Sequence, residues 1–159
     1  MSRWVLALPV VVVATLLTAL ALVAQTADPF VGTWKLNLTR SIPDPGRAPK
    51  SQTVKVEPAE GGYKITSDSV DAQGRSDHTE TVQTFDGAES SVAGAPQPTT
   101  QAYRRIDDRT YEQVTRVNGR VAQTVRVVIS PDGKTRTVDA TGTNLVGQPV
   151  HHVSVFDRQ

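Results

Sequence analysis

The sequence predicts an all-β protein, either an antiparallel meander β-barrel of about 8–10 strands or, as the alternative, a β-sandwich. Three observations support the all-β class. Apolar and polar residues alternate in many short segments, valine and threonine dominate those segments, and glycine-containing turns separate them. No segment after residue 24 shows a sustained 3.6-residue period, which is the pattern of an amphipathic helix.

Ten segments have the alternation and composition of strands. In chain order they are 33–38, 53–56, 63–66, 77–85, 89–92, 100–106, 110–117, 120–129, 135–140 and 150–156. The strongest hairpin signal is Asn118-Gly119, because a type I′ turn needs positive φ at both central positions. Three prolines in residues 39–50 disfavour a helix there. Short strands joined by tight turns predict a meander.

The N-terminus has the features of an export signal. Arg3 provides a positive start, residues 4–24 are uncharged and mostly apolar, and Ala19-Leu20-Ala21 provides small residues for cleavage. We therefore expect residues 1–24 to be a signal peptide with a signal helix. Residues 25–159 would then form a single β-barrel domain, periplasmic or extracellular. Because the apolar run approaches the membrane-spanning length of about 20 residues, an uncleaved anchor is the alternative.

Charge and cysteine content restrict the classes of partner. The chain has 17 Lys and Arg and 16 Asp and Glu side chains, and Arg3 lies in the predicted leader, so the remainder carries no net charge. This balance argues against nucleic acid and against an anionic membrane surface as partners. Membrane contact is then expected only through an uncleaved leader. The absence of cysteine excludes disulfides and thiolate metal sites. We expect no cofactor and no metal, and the sequence does not indicate an oligomeric state.

A faint internal repeat relates two parts of the chain. Residues 52–56 (Gln-Thr-Val-Lys-Val) recur as residues 123–127 (Gln-Thr-Val-Arg-Val), and each copy leads through a proline to a glycine turn. A glycine four positions before a histidine then follows in both copies, at His78 and at His151. The pattern indicates two similar three-strand units. The alternative is that strands rich in valine and threonine resemble one another by composition.

The segment Gly32-Thr33-Trp34-Lys35-Leu36 resembles the first-strand motif of lipocalins and fatty-acid-binding proteins. More widely, the chain from Asp28 onward is similar to a family of uncharacterised, exported bacterial lipocalin-like proteins. The shared phrases are residues 32–37, 48–51, 70–74, 105–107, 132–135 and 147–149. The resemblance implies a calycin-like barrel in which Gly32 allows close packing and Trp34 is a structural plug at one end.

The sequence also departs from these families. It has no Thr-Asp-Tyr-type loop of the lipocalin kind, and the loop 39–50 stands where fatty-acid-binding proteins carry two helices. Those proteins present an Arg-x-Tyr pair on the last strand, where this chain offers His151, His152 and Ser154. Their carboxylate-binding chemistry therefore does not carry over.

Large side chains on the predicted strands are the candidates for lining the barrel and binding a ligand. They are Tyr63, Ile65, Val82, Tyr103, Arg104 and Tyr111. An inward Arg104 would meet an acidic headgroup. The alternative is an exposed arginine that prevents edge pairing. A one-residue slip in register reverses every inward and outward assignment.

Catalytic and metal chemistry has weak support in the sequence. His78 with His151 or His152, plus Asp77 or Glu80, would make a zinc site if their strands were adjacent, although consecutive strand histidines point to opposite faces. The alternative is that the histidines face solvent. The sequence contains no Gly-x-Ser-x-Gly elbow, P-loop or dinucleotide-binding fingerprint.

These features favour an exported, non-enzymatic barrel that holds a small, partly apolar ligand. The alternative is a barrel filled by its own side chains that acts as a structural or protein-interaction module of the cell envelope. A hydrolase-type enzyme with an unrecognised site is the third hypothesis. An interior cavity would favour the first hypothesis, and a filled interior with a large exposed apolar patch would favour the second.

Overall fold

A computed structural model describes residues 28–43, 48–143 and 147–159. Its strands are β1 (Gly32–Leu36), β2 (Ser51–Ala59), β3 (Gly62–Val70), β4 (Ser76–Thr84), β5 (Ser90–Ser91), β6 (Thr99–Asp107), β7 (Thr110–Val117), β8 (Arg120–Ile129), β9 (Thr135–Thr143) and β10 (Pro149–Arg158). One turn of 3₁₀ helix, Leu38–Arg40, follows β1. The all-β prediction is confirmed.

The predicted leader, residues 1–24, lies outside the described residues, so the signal peptide and its anchor alternative stay predictions. Among the residues that are described, no helix has the length and apolar character needed to cross a membrane.

The ten strands form one antiparallel sheet in the order β4-β3-β2-β1-β10-β9-β8-β7-β6-β5. Each strand pairs with its neighbours in sequence except across the β4–β5 connection, and β1 pairs with β10 as well as with β2. The sheet therefore curls around until its two edges, β4 and β5, face a lateral gap. The ten-stranded antiparallel meander agrees with the prediction, but it forms a half-barrel and not a complete barrel, and the single continuous sheet excludes the sandwich.

The gap follows from the sequences of the two edge strands. Eight of the nine residues of β4 are exposed, and the inner face of this strand carries polar side chains such as Asp77, Thr79 and Thr81. Strand β5 has only two residues, Ser90–Ser91. Neither edge offers the apolar surface or the ladder length that would hold the two strands together.

The interior is divided along the barrel axis. Buried apolar side chains gather at the end where β1 begins, which we call the closed end. This core contains Phe30, Trp34, Val54, Val56, Tyr63, Ile65, Tyr111, Val125, Val127, Ile129, Ala140 and Phe156. Toward the other end, where β1 ends and β2 begins, inward positions carry glutamine, serine and threonine; we call this the open end.

The two predicted three-strand units correspond to β2–β4 and β8–β10. The valines of residues 52–56 and of residues 123–127 are all buried in the closed-end core. The two glutamines that begin the repeats precede these valines on the same strands and lie nearer the open end.

Candidate functional site

A cavity of about 330 Å³ lies inside the open end of the half-barrel. Strands β1, β2, β8, β9 and β10 form its wall, and part of the segment between β1 and β2 covers it. The lining residues are Leu36, Leu38, Ser41, Pro43, Ala48, Pro49, Gln52, Gln123, Thr143, Val150, His152 and Ser154. This volume lies at the lower end of the range of about 300–1,000 Å³ found for small-molecule sites.

The covering segment is fixed to β10 by backbone bonds. The Asn37 amide donates to the Val155 carbonyl at 2.8 Å, and Ile42 and Val153 exchange two backbone hydrogen bonds of 2.7 and 2.8 Å. The Ser41 hydroxyl accepts from the Val155 amide at 3.0 Å. The segment therefore continues the pairing of β1 along β10 and places its apolar side chains over the cavity.

One side of the cavity is polar. His152 and Ser154 point inward from β10, and Gln52 and Gln123 face them from β2 and β8. The Gln52 side-chain amide nitrogen donates to the Ser67 hydroxyl at 2.9 Å. The Nδ1 atom of His152 is buried, and no group in the described ranges hydrogen-bonds to it. Leucine, proline and valine side chains complete the wall, so the cavity has both polar and apolar surfaces.

The three histidines lie on different surfaces. His151 is exposed on the outer face, 2.9 Å from Asp139, whereas its neighbour His152 faces the cavity. His78 lies on the outer face of β4, 2.6 Å from Asp68, whose hydrogen bond and charge raise the pKa of His78 above its ordinary value. Strands β3, β2 and β1 separate β4 from β10.

The hypothetical zinc site is therefore not assembled from these histidines. Across residues 28–43, 48–143 and 147–159, no three or more His, Cys, Asp or Glu side chains are grouped to hold a metal ion.

The six candidate lining residues divide into two sets. Four are buried on the inner face: Tyr63, Ile65, Tyr103 and Tyr111. Tyr63, Ile65 and Tyr111 belong to the closed-end core, and the Tyr103 ring lies 6.3 Å from the Phe85 ring. None of the four lines the open-end cavity, and their contact with a ligand stays a prediction. The other two, Val82 and Arg104, lie on the outer face, which corrects the expectation that they line the interior. For Arg104 this position agrees with the alternative of an exposed strand arginine. Val82 is 64% exposed, and Arg104 is exposed beside Glu112, because alternate residues of a strand face opposite sides.

Trp34, whose role as a barrel plug stays a prediction, lies in the closed-end core. It is fully buried at the closed end, and its indole nitrogen donates to the Phe30 carbonyl at 3.0 Å. Gly32 has a φ of +142°, and a Cβ at this position would lie 2.5 Å from Nη1 of Arg158. Glycine at position 32 thus leaves room for the arginine that packs on the tryptophan.

A polar network closes the lateral gap at the same end. The Tyr63 hydroxyl of β3 donates to Asp28 Oδ2 at 2.5 Å, and Arg105 of β6 donates to the Tyr63 oxygen at 2.6 Å and to Asp28 at 3.2 Å. Burial and then Asp28 raise the pKa of Tyr63. Partial burial works against ionisation of Asp28, but hydrogen bonds from Tyr63, from the Phe30 amide and from Arg105 lower its pKa.

Aromatic rings reinforce this closure. The Phe85 ring, just after β4, lies 5.2 Å from the rings of both Tyr63 and Tyr111. The backbone contributes as well, since Asp86 forms a bridge with Arg104 and the Gly87 amide donates to the Tyr103 carbonyl at 3.1 Å. The edges of the sheet are therefore joined at the closed end by side chains and backbone, and the closed half is a filled scaffold for the open half.

The polar residues that line the cavity are not among the residues that the sequence predicts to bind a ligand. Gln52, Gln123, His152 and Ser154 had no assigned role in ligand binding. Two signals were present. The internal repeat aligns Gln52 with Gln123. Alternate residues of a strand share one face, so Ser154 and His152 lie on the same face of β10 as the buried Phe156.

No protein-family model matches the sequence, and no curated protein sequence matches it. Among solved structures, the chain is similar to a Schistosoma mansoni fatty acid binding protein in complex with arachidonic acid (13% identity, TM-score 0.49, 82% of this chain and 96% of that chain). It is also similar to zebrafish ileal bile acid-binding protein complexed with cholic acid (10%, 0.48, 82% and 99%). A third is As-p18, an extracellular fatty acid binding protein (13%, 0.49, 83% and 97%). These low identities leave this chain's own cavity as the basis for inferring its function.

Proposed function

We propose that this chain is an exported, non-enzymatic β-barrel protein that holds one small, partly apolar molecule in the open-end cavity. The observation that carries the proposal is the cavity of about 330 Å³, walled by five strands and covered by the segment after β1. This space supports ligand binding over a barrel filled by its own side chains.

The composition of the two halves explains why one is filled and the other is not. Valine and aromatic side chains at the closed end interlock into a core. Glutamine, serine and threonine at the inward positions of the open end cannot form a dry core without leaving hydrogen-bonding groups unpaired. The open half therefore retains space, and an occupant would cover the apolar side chains of Leu36 and Val150. Such burial contributes about 25 cal/mol per Å² of apolar surface.

The export part of the proposal rests on the first 24 residues alone. Their positive start, apolar run and small-residue cleavage motif are those of a signal peptide. The mass of the chain recovered from the envelope fraction tests this part separately. Loss of the leader is expected, and a full-length mass would indicate an uncleaved anchor.

A filled-cavity variant tests ligand binding. Ser154→Phe would occupy the cavity, whereas Ser76→Phe places the same ring on the exposed outer face of β4. We expect the purified protein and Ser76→Phe to bind the neutral dye Nile red saturably, and Ser154→Phe to bind it at least about tenfold more weakly. Far-UV circular dichroism would verify that both variants fold. Equal binding by the two variants, or no binding by the wild type, would favour the filled interaction module.

A further inference from the structure

We propose that the cavity selects an uncharged ligand whose head group both donates and accepts hydrogen bonds, such as a primary amide or a hydroxyl on an apolar chain. His152, Gln52 and Gln123 would bind this head group. This inference rests on the proposed function, since it names the class of ligand for the same cavity.

His152 supplies a hydrogen-bond donor. Its Nδ1 atom is buried and has no hydrogen-bond partner among the residues that the structure describes. A proton on Nδ1 would bury an unpaired N–H group, and buried N–H groups without a partner are rarer than buried acceptors without one. The tautomer with its proton on Nε2 leaves no buried N–H group of His152 unpaired. Because His152 lines the cavity, this Nε2–H group would be the donor offered to an occupant.

The two glutamines supply the complementary groups. The amide nitrogen of Gln52 already donates to Ser67, which leaves its carbonyl oxygen as an acceptor. Gln123 lines the same cavity, and its side-chain amide carries both a donor and an acceptor. These side chains start the two copies of the internal repeat and reach the same cavity from β2 and β8.

Charge favours a neutral ligand. None of the described lining residues is charged. A carboxylate that left water for this cavity would lose its hydration without gaining a cation from those residues. Arg136 is a buried cation, but its guanidinium lies 5.2 Å from the Phe156 ring and donates to the Tyr111 hydroxyl at 3.3 Å. It belongs to the closed-end core and does not line the cavity.

The test compares three probes that share one apolar chain. Octanamide, octan-1-ol and octanoate are titrated against the Nile red complex of the purified protein near pH 7.5, where the carboxylic acid is ionised. We expect the amide and the alcohol to displace the dye at concentrations at least about tenfold lower than octanoate.

Adjacent histidines provide the matched variants. His152→Leu removes the proposed donor, and His151→Leu makes the same change on the outer face of the same strand. We expect His152→Leu to weaken octanamide binding about three- to tenfold and His151→Leu to change it less than about twofold. The variant His152→Gln keeps a donor and should stay within about twofold of the wild type, which separates a lost hydrogen bond from a folding defect.

The outcomes distinguish this inference from the proposed function. Dye binding with octanoate as the preferred competitor would overturn the inference and leave the binding function standing. Equal loss of octanamide affinity in His151→Leu and His152→Leu would also overturn it. If neither the dye nor any of the three probes bound the wild type, both the inference and the proposed function would fail.

Discussion

The guanidinium of Arg158 lies 4.2 Å from the centre of the Trp34 ring, so a side chain at the end of β10 covers the tryptophan of β1. Its nitrogens also donate to three backbone carbonyls, those of Pro29 at 2.5 Å, Val31 at 2.7 Å and Gly133 at 2.6 Å. One planar cation therefore joins the segment before β1 to the turn between β8 and β9 and seals the closed end.

Replacement of this arginine by lysine should destabilise the protein. Arg158→Lys keeps the charge but loses the planar fork that reaches three carbonyls and stacks on the indole. We expect the free energy of unfolding in urea to fall by about 2 kcal/mol or more. Arg40→Lys is the matched control, because Arg40 is exposed beside Asp157, and it should change stability by less than about 0.5 kcal/mol. Equal effects of the two substitutions would contradict the role given to Arg158.

The Tyr63 hydroxyl should contribute stability that depends on pH. Asp28 has a lowered pKa in the folded protein, so its contribution is present above its ordinary pKa and is lost as pH falls through the folded value. Tyr63→Phe removes one of the hydrogen bonds that lower this pKa. We expect a loss of about 1–2 kcal/mol at neutral pH that shrinks as the pH drops below about 4.

Tyr103→Phe is the control for that experiment. Burial raises the pKa of Tyr103 to about 12, and its hydroxyl donates to the neutral Gln101 side chain at 2.9 Å. Its loss should cost about 1 kcal/mol at every pH between 3 and 7, since neither partner titrates there. A loss for Tyr63→Phe that was equally independent of pH would show that Asp28 is not coupled to Tyr63.

The limits of a strand were predictable where the residues of the adjoining turn determine them. The limits of β7 and β8 match the predicted segments 110–117 and 120–129, because Asn118-Gly119 adopts the positive φ values of 51° and 75° that a tight hairpin turn requires. The lateral gap was not predictable in this way. It depends on the absence of packing between β4 and β5. The sequence pattern of either strand alone does not show whether these two edges of the sheet will pair.

The cavity was predictable only in part. Inward positions follow from alternation, but each strand also needs one residue whose side of the sheet is known. An unpaired extra residue, Ile106 in β6 and Ala122 in β8, interrupts the alternation in these two strands. Without such a residue the sequence does not place Val82 on the outer face, and it leaves both an inward and an exposed position open for Arg104. The cover over the cavity depends on backbone bonds between residues 37–42 and β10, which lie more than a hundred positions away in the sequence.

The histidine on the outer face of β4 should titrate above its ordinary range. The Asp68 carboxylate, 2.6 Å from the ring, raises the pKa of His78. We expect the ring-proton shifts of His78, followed by NMR, to give a pKa above 6.5 that returns toward this value in Asp68→Asn. Asp77→Asn is the control and should cause a smaller change, because Asp77 contributes less to the shift. An unchanged titration in Asp68→Asn would contradict the contact.

The first-strand glycine should tolerate no side chain. Gly32→Ala would force alanine to a φ of +142° and would place its Cβ 2.5 Å from Nη1 of Arg158. Gly94→Ala is the matched control, since Gly94 has a φ of +74° and no atom within 4 Å of the added Cβ. We expect Gly94→Ala to cost about 1 kcal/mol and Gly32→Ala to cost about 2–3 kcal/mol in thermal or urea unfolding. A smaller cost at Gly32 than at Gly94 would be inconsistent with close packing at the plug.

Native mass spectrometry tests the central claim, a ligand in the open-end cavity, most directly. The wild type and Ser154→Phe are each purified gently from the envelope fraction of the cells that produce the protein. We predict that the wild type carries an additional mass that organic extraction removes, and that Ser154→Phe, whose cavity is filled, carries none. Polypeptide mass alone in both proteins, or the same additional mass in both, would contradict the claim.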